Sequence, residues 1–425
     1  MTTGKNESRI QLRAGVVAVG SELTSGKVAD RHGSYLAGVL SRLGINVTEI
    51  CQIADKVIDI QRALERLSGK SDLIIVTGGL GPTQDDLTRA ALSAFAGEPL
   101  EFREELWDQV KRAFGGTKIA ESNRRQAEAP RGFQAIPNDL GTAPGLVGRI
   151  ESCTVIALPG PPRELIPMVE SRVLPIISDD FELAPPEETL VGTSFLVPES
   201  VLEEALQTGA DEQLSWSTRA EPGRIVFSLS GGEDYQRKIC FDSLVTSLGK
   251  ICVRSGECEA KELLFQELRE RKKRIITAES CTGGLVAKQM TDLAGSSDFF
   301  WGALVTYADD AKMQLLGVAV DDDGAVSESV VRKMASRALK ISDSDLAIAI
   351  SGIAGPGGGS IEKPVGTVWI AVTARGSEMN GGAWKFGFSG SRERIRRHAA
   401  VAAILLAEVC VRGKEIDKGD MWGYI

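Results

Sequence analysis

The feature that most constrains the fold is a regular alternation of short apolar runs with longer segments of helical periodicity. It begins at Ala14 with AGVVAVG, a helical segment over residues 35–43, INVTEICQI, a second helical segment over residues 60–67, and DLIIVTGG. Strands and helices that alternate at this spacing are typical of a largely parallel sheet covered by helices. A pattern of the same kind runs from RIITAE to a long C-terminal helix. The sequence therefore predicts an α/β fold with two separate sheets.

Between these two patterns the composition changes. The stretch SDDFELAPPEET, residues 178–189, carries five acidic residues and two adjacent prolines, which is typical of a linker. The segment that follows, as far as Val253, combines strand-like runs with the helical segment SVLEEALQ. We therefore predict three domains, formed by residues 1–176, by residues 177–256 as a small α+β linking domain, and by residues 257–425.

Composition excludes several classes of site and partner. Only His32 and His398 occur in 425 residues, which excludes histidine-rich metal clusters and leaves little room for a Ser-His-Asp relay. A net charge of −9 argues against a nucleic-acid-binding face. The seven cysteines are scattered and form no C-x-x-C motif, as is typical of reduced thiols, and no apolar stretch approaches the ~18 residues of a membrane span. We expect a cytoplasmic protein without nucleic-acid or membrane partners.

The turn after the strand RIITAE predicts a nucleophile beside an anion-binding helix start. It reads Ser280-Cys281-Thr282-Gly283-Gly284 and leads into the helical segment LVAKQM, whose first backbone amides could hold a phosphate or an oxyanion. Ser280 and Cys281 are both candidate nucleophiles. A purely structural interpretation stays open, in which Ser280 and Thr282 cap the helix and Cys281 packs inward.

A lysine is the most economical candidate for the base. Tyr307 and Lys312 follow the strand WGALVTY, so both are expected at the carboxyl edge of the sheet, where open α/β sheets bind ligands. A lysine can serve as the base for a serine when its pKa falls from ~10.4 toward about 7–8. Because histidine is so scarce, we predict that Lys312 takes this role for Ser280.

Two further segments supply candidate substrate contacts. The loop SGIAGPGGG follows the strand DLAIAI and contains Ser351, Gly352 and Gly355, where glycine lets the backbone approach a ligand closely. The segment GSRERIRRHAA places Arg392 and Arg396 four residues apart on one helix face, as in a phosphate or carboxylate clamp. Each of these arginines could equally be an ordinary surface residue.

Together these motifs resemble the nicotinamide-nucleotide amidase domain of the competence/damage-inducible protein CinA family, over about residues 258–412. The resemblance implies hydrolysis of nicotinamide mononucleotide to nicotinate mononucleotide and ammonia, without a cofactor. It implies Ser280 as nucleophile, Lys312 as its base and Tyr307 as a supporting hydroxyl. The implied substrate-binding residues are Thr282, Gly283, Gly284, Ser351, Gly352, Gly355, Arg392 and Arg396. Ser351 stands where many relatives have threonine, which keeps a hydroxyl in place.

The N-terminal half carries glycines at the ends of two strands and acidic residues before a helix. The residues concerned are Gly20, Glu22, Gly78, Gly79, Gly81, Asp85 and Asp86. Such a pattern suits a site that holds phosphate on backbone amides and a divalent ion on carboxylates. Asp85 and Asp86 could instead only cap the helix. Two more loops, NDLGTAPGLV and ALPGPPREL, are expected to close over the same ligand.

This half resembles the three-layer, molybdopterin-binding-like domain of the same family, and the middle segment resembles the family's linking domain. The family's N-terminal domain is associated with metal-dependent ADP-ribose pyrophosphatase activity. The resemblance implies Asp55 and Asp86 as catalytic carboxylates, and the pattern of acids described above predicts Asp85 and Asp86 as ligands of a divalent metal ion. Relatives usually read D-T-N where this chain has Asp30-Arg31-His32, which places bulkier side chains beside the pocket.

The leading hypothesis is therefore a two-activity nucleotide enzyme of pyridine-nucleotide salvage that acts on nicotinamide mononucleotide and ADP-ribose and forms a homodimer. One alternative is a hydrolase that uses Cys281 as its nucleophile. Another is a non-catalytic pterin- or nucleotide-binding protein that acts in competence or DNA damage through its partners.

Overall fold

The computed structural model describes residues 12–183, 188–320, 322–376 and 379–425. The described residues form two compact units, one up to residue 183 and the other from residue 188 onward. The first predicted domain boundary, at residue 176, lies inside the helix Leu174–Asp180, which continues into the acidic stretch that the sequence assigns to a linker. The described residues from 188 to 425 form one compact unit, and residues on both sides of the second predicted boundary, at residue 256, share one core. The second boundary therefore does not coincide with a division between compact units, and it stays a prediction.

The first unit is built on a mixed sheet. Its strands are β1 (Arg13–Val19), β2 (Asn46–Ile53), β3 (Leu73–Thr77), β4 (Leu100–Phe102), β5 (Glu128–Pro130), β6 (Gln134–Ile136), β7 (Gly145–Ile150) and β8 (Cys153–Leu158). The main sheet has the order β2-β1-β3-β8-β7-β6, and β4 pairs with β5 separately. The four strands from β2 to β8 are parallel, whereas β7 and β6 extend the sheet antiparallel.

Helices cover both faces of this sheet. They are α1 (Ser21–Thr24), α2 (His32–Arg42), α3 (Val57–Ser68), α4 (Thr88–Ala96), α5 (Glu104–Phe114), α6 (Pro162–Met168) and α7 (Leu174–Asp180), with a 3₁₀ segment at Glu121–Ala127 and a π-helical turn at Val169–Val173. Neighbouring residues of β1 point to opposite faces. Val16 packs with Leu36 of α2, and Val17 packs with Leu64 of α3. The predicted three-layer α/β arrangement is therefore confirmed.

The second unit contains two sheets. Its strands are β9 (Leu190–Phe195), β10 (Leu214–Glu221), β11 (Arg224–Gly231), β12 (Val253–Ser255), β13 (Ile275–Glu279), β14 (Phe300–Val305), β15 (Leu346–Gly352), β16 (Thr367–Ala374) and β17 (Gly382–Gly387). An antiparallel sheet has the order β10-β11-β9-β12, and a mixed sheet has the order β14-β13-β15-β16-β17. In the mixed sheet β14, β13 and β15 are parallel, so the residues that follow them meet at one edge.

The helices of the second unit are α8 (Glu199–Gly209), α9 (Asp234–Leu248), α10 (Ala260–Glu270), α11 (Leu285–Thr291), α12 (Asp309–Leu316), α13 (Glu328–Ile341) and α14 (Arg392–Val411), with 3₁₀ segments at Ser296–Asp298 and Lys418–Asp420. The helix α9 is not predicted from the sequence, because its buried face combines Arg237 and Cys240 with only two leucines. No helix within the described residues is both long and apolar enough to cross a membrane.

Candidate active site

A small cavity of about 190 Å³ opens at the carboxyl ends of β14, β13 and β15. The predicted amidase residues that line it are Ser280, Tyr307, Lys312, Ser351, Gly352 and Arg392. The predicted residues outside its lining are Thr282, Gly283, Gly284, Gly355 and Arg396. The cavity therefore gathers side chains that are as much as 112 residues apart in the sequence, from Ser280 to Arg392, around one point.

Ser280 sits on a sharp turn between β13 and α11. Its backbone N–H donates to the Ile350 carbonyl of β15 at 3.0 Å, which ties the turn to the centre of the sheet. Gly283 and Gly284 then adopt φ values of +59° and +91°, a left-handed region that favours glycine. The glycines shape the turn so that Ser280 faces the cavity.

A buried carboxylate that the sequence analysis does not single out caps α11. Glu279 is fully buried, and its carboxylate accepts hydrogen bonds from the amides of Gly284 at 2.9 Å, Val286 at 3.2 Å and Ala287 at 2.8 Å. The prediction that these first helical amides hold an oxyanion is therefore wrong, since Glu279 already occupies them. Neither Ser280 nor Thr282 caps the helix through its side chain.

Two other amides stay available beside Ser280. The backbone N–H groups of Cys281 and Thr282 form no hydrogen bond with another described residue. The amide directly after a nucleophile is a usual component of an oxyanion hole. The turn itself, rather than the helix start, is thus the place where negative charge could be stabilised.

Lys312 reaches the cavity from α12 and is almost completely buried, with 1 % of its surface exposed. Its Nζ lies 3.2 Å from the Asp309 carboxylate and 3.4 Å from the Tyr307 carbonyl. Asp309, one turn earlier on the same helix, is a partner that the sequence analysis misses, although an acid three residues before a lysine on a helix is a usual ion-pair spacing. These contacts hold the amine in the cavity that Ser280 lines.

The two arginines of α14 have different environments. Arg392 donates through Nη2 to the Tyr307 hydroxyl at 2.6 Å and through Nη1 to the Gly355 carbonyl at 2.7 Å, so it forms part of the cavity wall. Arg396 donates through Nε to the Cys281 carbonyl at 3.0 Å, and through Nη2 to the Thr282 carbonyl at 2.7 Å. The structure therefore does not show a two-arginine clamp, because Arg396 braces the turn that carries Ser280.

Cys281 is poorly suited to act as the nucleophile. Its side chain is 5 % exposed, and burial raises the pKa of the thiol to about 12. The thiolate is the reactive form of cysteine, and it is scarce when the pKa lies far above neutrality. A Cβ atom on Gly352 would lie 3.1 Å from the sulfur, which shows how closely the thiol is packed. The geometry favours Ser280.

A larger cavity of about 700 Å³ lies at the carboxyl ends of β1, β3 and β8 in the first unit. It brings together every residue predicted for the N-terminal site, namely Gly20, Glu22, Asp55, Gly78, Gly79, Gly81, Asp85 and Asp86. Thr142 and residues 159–162 also line it, so both predicted loops reach the cavity. Arg31 and His32 are part of its wall, as the sequence analysis expects.

The glycines of this cavity are required by close backbone packing. Gly78 has a φ of +96°, and a Cβ atom at this position would lie 2.3 Å from the Val19 carbonyl oxygen. Gly79 has a φ of +66°, and its Cβ atom would meet the Thr88 hydroxyl at 2.4 Å. Only glycine fits this turn without displacing β1 or α4.

The acidic residues of this cavity mostly hold their own loops. Asp86 accepts hydrogen bonds on Oδ2 from the Thr83 amide at 2.8 Å and the Thr83 hydroxyl at 2.6 Å, while Oδ1 accepts none from the described residues. The Thr83 hydroxyl also lies against Asp85, and this contact lowers the pKa of that carboxyl. Neither aspartate caps α4 through its side chain. Asp55 accepts from the Ser21 amide at 2.6 Å.

Asp30 fixes the start of α2 at the point where the chain departs from the D-T-N pattern. Its Oδ1 accepts from the amides of His32 at 2.9 Å and Gly33 at 3.0 Å. The aspartate thus keeps a capping role, and the change to Arg31 and His32 alters the cavity wall without removing the cap.

Two buried polar groups beside this cavity escape the sequence analysis. Arg89 of α4 lies with Nη1 3.5 Å from the Gly81 carbonyl, its Nε and Nη2 have no partner among the described residues, and burial lowers its pKa to about 10. Glu164 lines the cavity and accepts from the Asn138 side chain at 2.9 Å. A sequence gives no periodic signal for such groups, because their partners lie in other loops.

Nowhere in the described ranges do three or more His, Cys, Asp or Glu side chains come together as a metal-binding group. In the large cavity, the adjacent Asp85 and Asp86 offer two carboxylates. Mg²⁺ is often held by one or two carboxylates together with water and substrate phosphates, so this pair fits a metal that arrives with a phosphorylated ligand.

Comparison with known proteins matches both halves of the chain. A family model described as "Probable molybdopterin binding domain" matches residues 15–179, and one described as "CinA C-terminal domain" matches residues 258–411. A putative competence-damage inducible protein of Symbiobacterium thermophilum is 38 % identical over 414 residues, which cover 92 % of this chain and 97 % of that protein. The chain belongs to the CinA family. A CinA-like protein of Thermotoga maritima is 33 % identical over 420 residues, covering 95 % of this chain and 99 % of that protein.

Among solved structures, the protein CinA of Thermoplasma acidophilum, described as having unknown function, is 28 % identical and covers 40 % of this chain and 98 % of that one, with a TM-score of 0.37. The competence/damage inducible protein CihA of Agrobacterium tumefaciens is 38 % identical, and the match covers 35 % of this chain and 94 % of that one, with a TM-score of 0.33. Within this CinA-family chain, the large cavity lies inside the matched segment 15–179 and the small cavity inside the segment 258–411.

Proposed function

We propose that the C-terminal part of the chain hydrolyses the carboxamide of nicotinamide mononucleotide to nicotinate mononucleotide and ammonia. The observation that carries the proposal is that a serine hydroxyl on a sharp turn and a buried lysine line one small cavity. A pair of this kind suits acyl transfer by a serine with a lysine base. The inward packing of Cys281 supports serine over cysteine as the nucleophile.

In the proposed reaction, the Ser280 Oγ attacks the carboxamide carbon while the amine of Lys312 takes the hydroxyl proton. The negative charge on the carboxamide oxygen is stabilised by the amides of Cys281 and Thr282. Lys312 then returns the proton to the departing nitrogen, and ammonia leaves an ester of Ser280. A water molecule, activated by the same amine, hydrolyses this ester and releases nicotinate mononucleotide.

The size of the cavity supports a substrate that enters by one end. A volume of about 190 Å³ is below the ~300–1,000 Å³ that is usual for a whole drug-sized ligand. It suits the pyridine ring and its carboxamide, with the ribose phosphate at the open side. Tyr307 is 57 % exposed there, and the Arg392 guanidinium holds its hydroxyl, so both lie where the nucleotide would leave the cavity.

The test is ammonia release from nicotinamide mononucleotide by the full chain without added metal. Ser280→Ala and Lys312→Met are expected to lower kcat by about 10³-fold or more. The matched controls are Cys281→Ala, and Lys340→Met on the exposed face of α13, both of which should keep the wild-type rate within a few-fold. Full activity of Ser280→Ala, or loss of activity in Cys281→Ala alone, would transfer the role of nucleophile to the thiol.

A second candidate function is the hydrolysis of ADP-ribose in the first unit. It is favoured by the glycine-lined cavity of about 700 Å³, which is large enough for a dinucleotide-like ligand. The glycine turn would hold the diphosphate on backbone amides. Asp85 and Asp86 would hold a divalent metal ion, which would neutralise charge on the phosphates. Asp55 and the free Oδ1 of Asp86 are the carboxylates proposed to act on the attacking water.

This proposal is tested by AMP formation from ADP-ribose with and without Mg²⁺, next to ADP-ribose binding measured by calorimetry. Asp86→Asn is expected to abolish AMP formation while binding persists, whereas an exposed control, Asp343→Asn before β15, should change neither. Binding without turnover in the wild-type chain would instead support a nucleotide-binding regulatory protein. An absence of both would remove ADP-ribose as a ligand.

We further propose that the chain forms a homodimer. β14 is an edge strand of its sheet and exposes Trp301 and Val305, and Met313 and Leu315 are exposed on α12. Exposed apolar side chains on an edge strand are typical of an interface. Sedimentation of wild type and Trp301→Glu decides the question, because a monomeric wild-type protein contradicts the proposal.

A further inference from the structure

The small cavity around Ser280 contains a carboxylate beside the lysine that is proposed as the base. Among the described residues that line it, Asp309 is the one acid, next to the two cations Lys312 and Arg392. The Lys312 Nζ lies 3.2 Å from the Asp309 Oδ1. A carboxylate at this distance favours the protonated form of an amine, whereas a lysine accepts the proton of a serine only as the neutral amine. The base therefore needs another cation to take its place beside Asp309.

We propose that Asp309 recognises the positive charge of a pyridinium ring, and that this contact lets Lys312 release its proton to the solvent. The assignment rests on the proposed amidase activity and names the substrate class of the same cavity, an N-substituted pyridinium that carries a carboxamide. Nicotinamide mononucleotide belongs to this class, because the bond to ribose places a positive charge on the ring nitrogen.

The Asp309 carboxylate has an oxygen available for such a ring. Its Oδ1 contacts Lys312, but its Oδ2 accepts no hydrogen bond from the described residues. The Asp309 side chain is 62 % exposed although it lines the cavity, whereas Lys312 is 1 % exposed. The ion pair thus has one buried and one accessible partner, and a cation that enters the cavity can approach the accessible one.

The size of the cavity brings the ring charge close to this oxygen. A volume of about 190 Å³ suits one pyridine ring with its carboxamide, and the carboxamide carbon has to reach the Ser280 hydroxyl in the same space. The ring nitrogen then lies inside a cavity whose carboxylate is Asp309. Opposite charges attract far more strongly in such a partly desolvated space than in water.

Loss of the Lys312 proton balances the charges of the complex. The pyridinium ring pairs with Asp309, and the substrate phosphate lies at the open side near Arg392, whose guanidinium donates to two neutral atoms, the Tyr307 hydroxyl and the Gly355 carbonyl. A protonated Lys312 would place a second cation beside the ring and a single carboxylate. Departure of one proton removes this repulsion and leaves the neutral amine in the cavity that Ser280 lines.

Two neighbouring acids do not take this role. Glu279 is fully buried, lies outside the cavity lining and accepts hydrogen bonds from three backbone amides. Asp310 follows Asp309 on α12, but it is exposed and does not line the cavity. Asp310 is therefore a matched control for the charge of Asp309.

The first experiment compares two ligands that differ in ring charge. Nicotinamide mononucleotide and its reduced dihydropyridine form share the carboxamide and the ribose phosphate, but the reduced ring is uncharged. Calorimetry with the full-length Ser280→Ala variant, which does not consume the ligand, measures both affinities. We expect the oxidised form to bind at least about tenfold more tightly, and Asp309→Asn in the same background to bring the two affinities within about threefold. Asp310→Asn should leave the ratio of the affinities as it is in Ser280→Ala.

The ratio of affinities separates recognition of charge from a purely structural role. Asparagine keeps an oxygen for Lys312, so an Asp309 that only positions the lysine predicts equal weakening of both ligands in Asp309→Asn. An unchanged ratio in this variant, or equal affinities of the two ligands in Ser280→Ala, overturns the assignment of Asp309, while ammonia release by the wild-type chain still decides the amidase activity. Failure of nicotinamide mononucleotide to bind or to be hydrolysed overturns both proposals.

The second measurement follows the proton. Heats of binding of nicotinamide mononucleotide to Ser280→Ala, taken at neutral pH in buffers of different ionisation enthalpy, give the number of protons that are released. A release of up to about one proton for each bound ligand is expected. It should be absent with the reduced ligand, and absent when Lys312→Met is added to Ser280→Ala. Binding of the oxidised ligand without proton release contradicts the proposed effect of the ring on Lys312.

Discussion

The two cavities at the sheet edges differ in the groups that line them. The cavity around Ser280 is small and is defined by side chains, with a buried lysine whose position depends on Asp309 and the Tyr307 carbonyl. The cavity of the first unit is more than three times larger and is defined by glycine backbone, while Asp86 and Asp55 each accept hydrogen bonds from loop residues on one oxygen. A site of the first kind specifies a reaction, because it fixes reacting groups. A site of the second kind selects a ligand by its shape and positions few side chains that could react with it.

The largest expected effect is that a substitution in the small cavity lowers ammonia release without changing ADP-ribose binding. Ser280→Ala should lower ammonia release from nicotinamide mononucleotide by about 10³-fold or more, while the affinity of the full chain for ADP-ribose stays unchanged. Steady-state kinetics and calorimetry on the same preparation measure both quantities. A parallel loss of ADP-ribose binding would show that the two cavities are not independent.

Removal of the Glu279 carboxylate should be the most damaging change to stability near the small cavity. Glu279→Ala leaves three buried amides at the start of α11 without an acceptor, which we expect to cost about 3 kcal/mol of unfolding free energy. Denaturant unfolding of the two units, followed by separate probes, gives the value. Glu279→Gln, which keeps an acceptor oxygen, should recover part of the loss, and equal losses would show that the effect is one of packing.

Gly78→Ala tests whether the large cavity depends on its backbone. The added methyl group would lie 2.3 Å from the Val19 carbonyl oxygen, at a residue whose φ is +96°. We therefore expect the unfolding free energy to fall by about 1–3 kcal/mol and ADP-ribose binding to be lost, while ammonia release stays unchanged. Gly132→Ala, in an open turn with a φ of +87°, carries the backbone strain without the clash. If both variants bind equally well, the close approach to β1 has no role in ligand binding.

The smallest effect concerns pH. The pKa of His398 is lowered to about 4 in the folded chain, so the unfolded chain binds the proton more tightly. Stability should therefore fall as pH drops from about 6.5 toward 4, by about 1–2 kcal/mol after allowance for partial solvent screening. His398→Gln should flatten this part of the stability profile of the second unit. If His398→Gln leaves the slope of stability against pH unchanged, the loss of stability at low pH comes from carboxylates.

The alternation of apolar runs was sufficient to predict both sheets and the edge at which Ser280, Tyr307 and Ser351 meet. That edge follows from the parallel direction of strands that are joined by helices, which the alternating pattern indicates. The roles of Glu279 and Asp309 cannot be predicted from the sequence, because they depend on where a backbone amide or an amine lies in three dimensions. Arg396 is predicted to contact an anionic substrate, but in the structure its guanidinium donates to a carbonyl of the Ser280 turn. The sequence thus predicts which residues carry functional groups, but it does not predict whether each group binds a ligand or another part of the protein.

The contact of Arg396 with the Cys281 and Thr282 carbonyls has a consequence for the timing of synthesis. The guanidinium lies 115 residues after Cys281, on the last long helix of the chain. A nascent chain that stops before α14 already contains Ser280 and Lys312, but it lacks the guanidinium group that holds the turn carrying Ser280. During synthesis the turn that carries Ser280 therefore lacks this brace until α14 has been made, so a chain truncated before α14 has both side chains but not the contact that holds the turn.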